Sequence, residues 1–363
     1  MTEDPEEGML SWDESVFRDE HVFEIDYVPE SFLHRETQME SLKYALRPAV
    51  RGSRPLNVMA QGPPGTGKTT ALQIMFDELR GQTGIEAVRV NCQVNSTRYS
   101  VFSRLFEGVF DYEPPSSGIS FKKLFSQVTD RLVDENRVLV VALDDVNYLF
   151  YESEASDTLY SLLRAHEEQG GAKIGVIVVS SDLELDMIEA LDGRVQSVFR
   201  PEEVYFPKYD EPEIGEILRE RVRRGFHDGV VDAPVLDRVA ELTADQGGDL
   251  RVGIDLLRRA GLKAEMRASR TVEPQDVEAA YDTSKYVSSR AGCRVWPTPS
   301  GRSLRSSPNT TASAPATSTR RSTTAPTSGT PATPRSSTSS TSSASSTPPT
   351  PRSRAAAGRA TSR

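Results

Sequence analysis

Cysteine is scarce in this chain of 363 residues, occurring only as Cys92 and Cys293. That excludes a disulfide framework and a cysteine-based zinc site. No apolar run is long enough to cross a membrane, and the opening Met1-Thr2-Glu3-Asp4-Pro5-Glu6-Glu7 is acidic, unlike a secretory signal. These absences predict no membrane partner and a reducing, cytoplasmic setting. A third absence is regional. All 53 acidic residues precede Gly292, together with 33 of the 43 basic ones. The stretch from Gly292 on therefore holds ten arginines and no Asp, Glu or Lys. The overall charge of -10 hides a strongly acidic body and a basic tail. Such a body stays soluble and resists self-association, and it admits nucleic acid only at a local basic surface.

What the chain does have is Val58-Met59-Ala60-Gln61 followed by Gly62-Pro63-Pro64-Gly65-Thr66-Gly67-Lys68-Thr69-Thr70. A short apolar strand, a glycine-rich turn and Lys-Thr opening a helix make the G-x-x-x-x-G-K-[ST] phosphate loop in its required context. Pro64, Gly65, Thr66, Gly67, Lys68, Thr69 and Thr70 are the expected nucleotide contacts. Gly65 and Gly67 let the backbone turn its N–H groups toward phosphates at the helix N-terminus. Lys68 is expected to reach the β- and γ-phosphates, and Thr69 to hold Mg²⁺ through its hydroxyl.

A second signature is Val138-Leu139-Val140-Val141-Ala142-Leu143-Asp144-Asp145. An apolar strand here delivers carboxylates from its C-terminal end, where open α/β sheets bind ligands. Asp144 is expected to hold Mg²⁺, and Asp145 to orient or deprotonate an attacking water. The strand 174–179 ends in Ser180-Ser181-Asp182, which offers Ser181 to the γ-phosphate or the water. Strands over 87–92 and 203–206 complete an alternating α/β domain, with Cys92 as a small core residue.

Two helical patterns, about 98–110 and 120–135, intervene. Lys122 and Lys123 on the second are candidates for a DNA phosphate contact and equally ordinary helix surface. Ahead of the phosphate loop, a helix over 33–46 carries Arg35-Glu36 near its start, which reads as packing or as a nucleotide contact. After Pro207, helices over 210–227, 233–246, 249–268 and 274–286 follow with no strands between them, which predicts a small all-helical domain. Asp249 is a plausible cap for the third. Arg251 on its first turn either closes on phosphates or is solvated.

With these residues assembled, the chain resembles the archaeal origin-recognition and helicase-loading initiators of the AAA+ ATPases, haloarchaeal ones in its acidity. The resemblance covers roughly residues 20–288. It rests on Tyr27-Val28-Pro29, His34-Arg35-Glu36, the phosphate loop, Leu143-Asp144-Asp145 and Ser180-Ser181-Asp182-Leu183. More specific are Leu191-Asp192-Gly193-Arg194-Val195-Gln196-Ser197, Val204-Tyr205-Phe206-Pro207-Lys208-Tyr209 and Gly248-Asp249-Leu250-Arg251.

The resemblance implies an α/β AAA+ P-loop NTPase base over 26–206, a parallel sheet flanked by helices, and an all-helical lid over 207–288. An acidic segment, 1–25, precedes them. ATP or ADP with Mg²⁺ is the implied ligand, and Tyr209 and Arg251 would contact it. Arg194 is implied as a finger acting in trans on a neighbour's nucleotide, and 98–135 as an insertion approaching DNA. Implied partners are origin double-stranded DNA, the replicative helicase, and related initiators in a homo- or hetero-oligomer. The implied location is cytoplasmic and chromosome-associated.

Three departures stand out. The second acidic position usually is Glu, and the shorter Asp145 predicts slow hydrolysis. The strand-end sensor usually is Asn, and Ser181 offers fewer hydrogen-bonding groups. The family follows its lid with a winged helix, whereas 289–363 turns into Ser, Thr, Pro, Ala and Arg. That tail is expected to be disordered, and its acid-free composition is what an acidic winged helix read out of frame would give. A clamp-loader-like ATPase, a transposition accessory ATPase and a degenerate nucleotide-binding paralogue are the alternatives.

Overall fold

The computed structural model describes residues 15–115, 118–168 and 171–291. The tail composition noted above falls, from Gly292 on, outside the described residues.

Five strands form one parallel sheet: β1 (Val58–Gln61), β2 (Ile85–Asn91), β3 (Val138–Asp144), β4 (Lys173–Ser180) and β5 (Glu202–Tyr205). Their order is β2-β3-β4-β1-β5. Every residue of β3 is buried, because helices cover both faces of a parallel sheet. The period-two geometry of a strand then sorts its side chains. Leu139, Val141 and Leu143 enter one core and Val138, Val140 and Ala142 the other.

The second of those cores is closed by α1 (Glu36–Val50) and α2 (Lys68–Arg80). The first is closed by α3 (Arg98–Phe110), α4 (Phe121–Asp134) and α6 (Ala155–Leu163), with the five-residue α5 (Asn147–Tyr151) between α4 and α6. A capping box of Thr97 and Ser100 starts α3, and Ser120 caps α4. Phe102 of α3 meets the rings of Phe121 and Phe125 edge-on, which pins the hairpin of the two helices. Two short helices, α7 (Ala165–Glu168) and α8 (Gly193–Gln196), complete the base.

Some boundaries differ from those expected. The helix anticipated over 33–46 starts at Glu36 and runs to Val50. His34 just before it has φ of +59°, which a continuing helix does not allow. The stretch from Ala155 to Glu168 breaks at Arg164 into two helices, α6 and α7. Helices as short as α5 and α8 carry too little periodicity to be seen in a sequence.

Beyond Pro207 come α9 (Glu211–Gly225), α10 (Ala233–Asp245), α11 (Leu250–Met266) and α12 (Pro274–Ala291). Asp210, Asp232 and Asp249 cap the first three through their side chains. This lid contains more chain than expected. Val16, Phe17, Val22 and Phe23 are buried in its core, although residues 1–25 read as a separate acidic segment. Phe17 stacks on Phe226 at 4.8 Å, and Phe23 lies 5.0 Å from the same ring. A Cβ on Gly261 would meet the Phe17 ring at 2.4 Å, so α11 admits that ring only because the position is glycine. The Arg18 N–H donates to Gly225 O, and Arg221 Nη1 donates to Val22 O at 2.6 Å. From residue 15 the described chain thus packs in the lid, enters the base near His34, and returns to the lid at Pro207.

Candidate nucleotide-binding site

The phosphate loop joins β1 to α2, and its shape depends on glycine. Gly65 and Gly67 have φ of +70° and +89°, in the left-handed region that side chains disfavour. Gly67 is the N-cap of α2 and brings no side chain to cap it. The first-turn N–H groups are therefore left for an outside acceptor. Within the loop, Thr66 Oγ1 donates to Pro63 O, and Lys68 Nζ donates to Gly62 O and Pro63 O, each at 2.6 Å. Burial, and then the positive charge of Arg251, lower Lys68 to about 8, against the pull of Asp144, Asp145 and Asp249.

The end of β3 lies beside the loop. Thr69 Oγ1 donates to Asp144 Oδ2 at 3.1 Å. Asp144 is buried, and its carboxyl is raised, first by burial and then by the charge of Asp145. Arg89 on β2 and the Thr69 bond pull the other way. Asp145 has φ of +53°, a conformation that Asp tolerates through its short polar side chain. The Thr69 hydroxyl with two adjacent carboxylates is an all-oxygen donor set, which fits a hard divalent cation such as Mg²⁺.

The lid closes the other side. Asp249 caps α11 by accepting from the Arg251 N–H at 3.0 Å. A Cβ on Gly65 would meet the same Asp249 oxygen at 1.8 Å, so the start of α11 abuts the phosphate loop. Tyr209 is buried, which raises its hydroxyl to about 12. Between base and lid lies a cleft of about 840 Å³, within the range of small-molecule sites. Gly65, Thr66, Gly67, Lys68, Thr69 and Thr70 line it from the base, with Asp145 and Ser181; Tyr209 and Arg251 line it from the lid side. Tyr27, Phe32 and Ile217 add apolar lining, and the Phe32 ring lies 2.8 Å from the place of a Cβ on Gly67 of the loop.

The remaining expected residues lie elsewhere. Pro64 is exposed and does not line the cleft, and Asp144 sits behind Thr69. Arg194 on α8 is exposed away from the cleft, with its Nη2 on Asp157 Oδ1 and Asp192 Oδ2. Lys122 and Lys123 are exposed on α4. Cys92 is buried, its thiol raised by burial and by the charges of Asp144 and Asp145.

Sequence reasoning undervalued Arg35. Its side chain is buried to 1% exposure at the meeting of base, loop and lid. Nε donates to Thr66 O, Nη1 to His34 O and Nη2 to Pro207 O. The guanidinium lies 3.6 Å from the centre of the Tyr209 ring. Burial lowers its pKa. The one signal available was its place in the His34-Arg35-Glu36 run, since a lone arginine at a helix start looks like surface.

Residues 31–179 match the family model of the AAA ATPase domain, and residues 215–282 match that of the Cdc6 AAA+ ATPase-type lid domain. The chain is 78% identical over 287 residues to ORC1-type DNA replication protein 3 of Haloarcula marismortui, across 79% of this chain and 76% of the relative. It is 73% identical, with the same coverage, to ORC1-type DNA replication protein 6 of Halobacterium salinarum. The solved structure of the Aeropyrum pernix ORC1 protein in complex with DNA is similar with a TM-score of 0.67 and 30% identity. That match covers 75% of this chain and 71% of the other.

Proposed function

Because the chain belongs to the archaeal ORC1/Cdc6-type initiators of the AAA+ class, we propose that it is an ATP-dependent initiator of DNA replication. It recognises origin duplex and helps bring the replicative helicase to it. The observation that carries the reading is a single cleft with a phosphate loop on one wall and Arg251 of the lid on the other. A ligand with several phosphates touches both walls, so its presence biases how lid and base sit together. The Cdc6-type lid over residues 215–282 favours an initiator over a clamp-loader-like ATPase.

In this reading the loop N–H groups of residues 65–70 and Lys68 hold the phosphates, and Arg251 senses them from the lid. Thr69 and Asp144 hold Mg²⁺, which when bound neutralises phosphate charge. Asp145 accepts the proton of the attacking water, with Ser181 orienting it. Asp145 is one methylene shorter than the usual Glu, so turnover is slow and nucleotide acts mainly as a switch. Arg194, exposed and outside its own cleft, is the finger offered to a neighbour in a homo- or hetero-oligomer. The α3–α4 hairpin with Lys122 and Lys123 faces DNA. The A. pernix relative, solved in complex with DNA, supports DNA as the partner. The protein works on the chromosome in the cytoplasm.

The test is a binding titration of the full chain at high salt, with origin duplex and a scrambled duplex, in ATP, ADP or no nucleotide. ATP is expected to raise affinity for duplex, whereas DNA binding indifferent to nucleotide would overturn the proposal.

A further inference from the structure

We infer that Arg35 is a positioning residue that couples the phosphate loop to the lid, by tying both chain crossings to the loop through one guanidinium. This rests on the nucleotide reading above.

Among the described residues Arg35 is the largest of the fully buried side chains. A buried cation is costly unless its donors are satisfied, and packing alone is served better by an apolar residue. Among the described residues its three hydrogen bonds all go to backbone carbonyls, each in a different functional segment. Thr66 O, at 3.0 Å, belongs to the phosphate loop, two residues before Lys68. His34 O, at 2.7 Å, ends the first crossing from lid to base. Pro207 O, at 2.7 Å, begins the return crossing, two residues before Tyr209.

The fourth contact completes the connection. The Tyr209 ring lies under the guanidinium, and its hydroxyl is 3.1 Å from the place of a Cβ on Gly67. Just beyond Tyr209, Asp210 caps α9, so a shift at Tyr209 is a shift of the first lid helix. On the other crossing, His34 Nε2 lies 3.0 Å from Glu216 of α9. A planar guanidinium fixes the angles among its acceptors as well as their distances. Displacement of the Thr66 carbonyl as phosphates enter the loop is then transmitted to Pro207 and Tyr209 rather than absorbed.

Lysine keeps the charge and much of the length but lacks the fork, so it cannot hold three carbonyls in one plane. The test uses Arg35→Lys in the full chain, with fluorescence transfer between dyes at Asp130→Cys on α4 and Asp237→Cys on α10, on a Cys293→Ser background. Tyr209→Leu, which removes the stacking face and leaves the three carbonyl bonds, serves as the second variant should Arg35→Lys fail to fold. The expected result separates affinity from coupling. At saturating nucleotide the ATP-induced change in transfer falls by about fivefold or more, while ATP affinity falls by less than about tenfold. A variant that melts earlier yet responds to saturating ATP like the unsubstituted protein would show a merely structural arginine and overturn the inference alone. Failure of the unsubstituted protein to bind ATP overturns the nucleotide reading and this coupling together.

Discussion

Thr69 Oγ1 and Asp144 Oδ2 stand 3.1 Å apart, one at the start of α2 and the other at the end of β3. The two elements are joined at the point where the proposed metal would be held. Thr69→Val removes the hydroxyl at almost constant volume. It is expected to leave nucleotide binding in EDTA nearly unchanged and to abolish the gain that Mg²⁺ brings, as read by calorimetry with and without the metal. A Mg²⁺ gain equal to that of the unsubstituted protein counts against Thr69 and Asp144 as the metal site.

Lys68 is lowered to about 8 from 10.5 by burial and then by Arg251. Its folded pKa lies below its unfolded one, so between about pH 8 and 10.5 the unfolded state holds a proton that the native state has shed. The stability contributed by this group is at its lowest below pH 8 and rises through that window. Phosphates favour the charged amine, so nucleotide affinity falls by up to about tenfold per pH unit above 8. Calorimetry at pH 8.5 in buffers of different protonation enthalpy should detect up to about three-quarters of a proton taken up per ATP. In Lys68→Ala that uptake vanishes, and affinity drops by about 10- to 100-fold without loss of the fold.

Asp145→Asn keeps the shape and removes the basic oxygen. ATP affinity is expected to stay within about threefold while turnover falls by roughly 10²-fold or more, the usual worth of a general base. Equal single-turnover rates in the two proteins would exclude Asp145 from that role.

Exchanging Lys122 and Lys123 together for Glu tests the α3–α4 hairpin. Each phosphate contact adds about 0.9 to the slope of log affinity against log salt. The double variant should lower that slope by about 2 and weaken origin and scrambled duplex alike. ATP binding is expected to be untouched, because neither lysine lines the cleft. An unaltered slope places DNA elsewhere.

Phe17→Ala removes a ring stacked on Phe226 inside the lid core. Truncating a buried Phe costs about 3–5 kcal/mol. Hydrogen exchange should show the loss in α9 and α11, with β3 and β4 still protected. Uniform loss across base and lid, or none, would contradict the lid membership of the N-terminal segment.

The base was legible from sequence where one physical rule dominates. Lys68 and Thr69 sit in a loop whose spacing is dictated by phosphate geometry, and β3 reads as a strand because it is apolar throughout. The lid helices were found through their periodicity and through Asp249 at a cap. What escaped is contact between segments far apart in the chain. Phe17 and Phe23 look like scattered anchors in an acidic stretch until Phe226 and Gly261 are placed beside them. Arg35 looks like a helix-start cation until three carbonyls converge on it. Short helices such as α5 are set by the turn after Asp145, which no local pattern announces.

The lid's dependence on residues 15–23 also sets a timetable for synthesis. Arg18 bonds Asp228 across 210 positions, and the Val16 N–H meets Glu265 across 249. At roughly 5–20 residues per second, the first anchors leave the ribosome some 10–50 s before their partners. The base can form in that interval, while Phe17, Val22 and Phe23 wait uncovered. A chain arrested midway would therefore present a folded ATPase core with a greasy leader, which is the form a chaperone or protease would recognise.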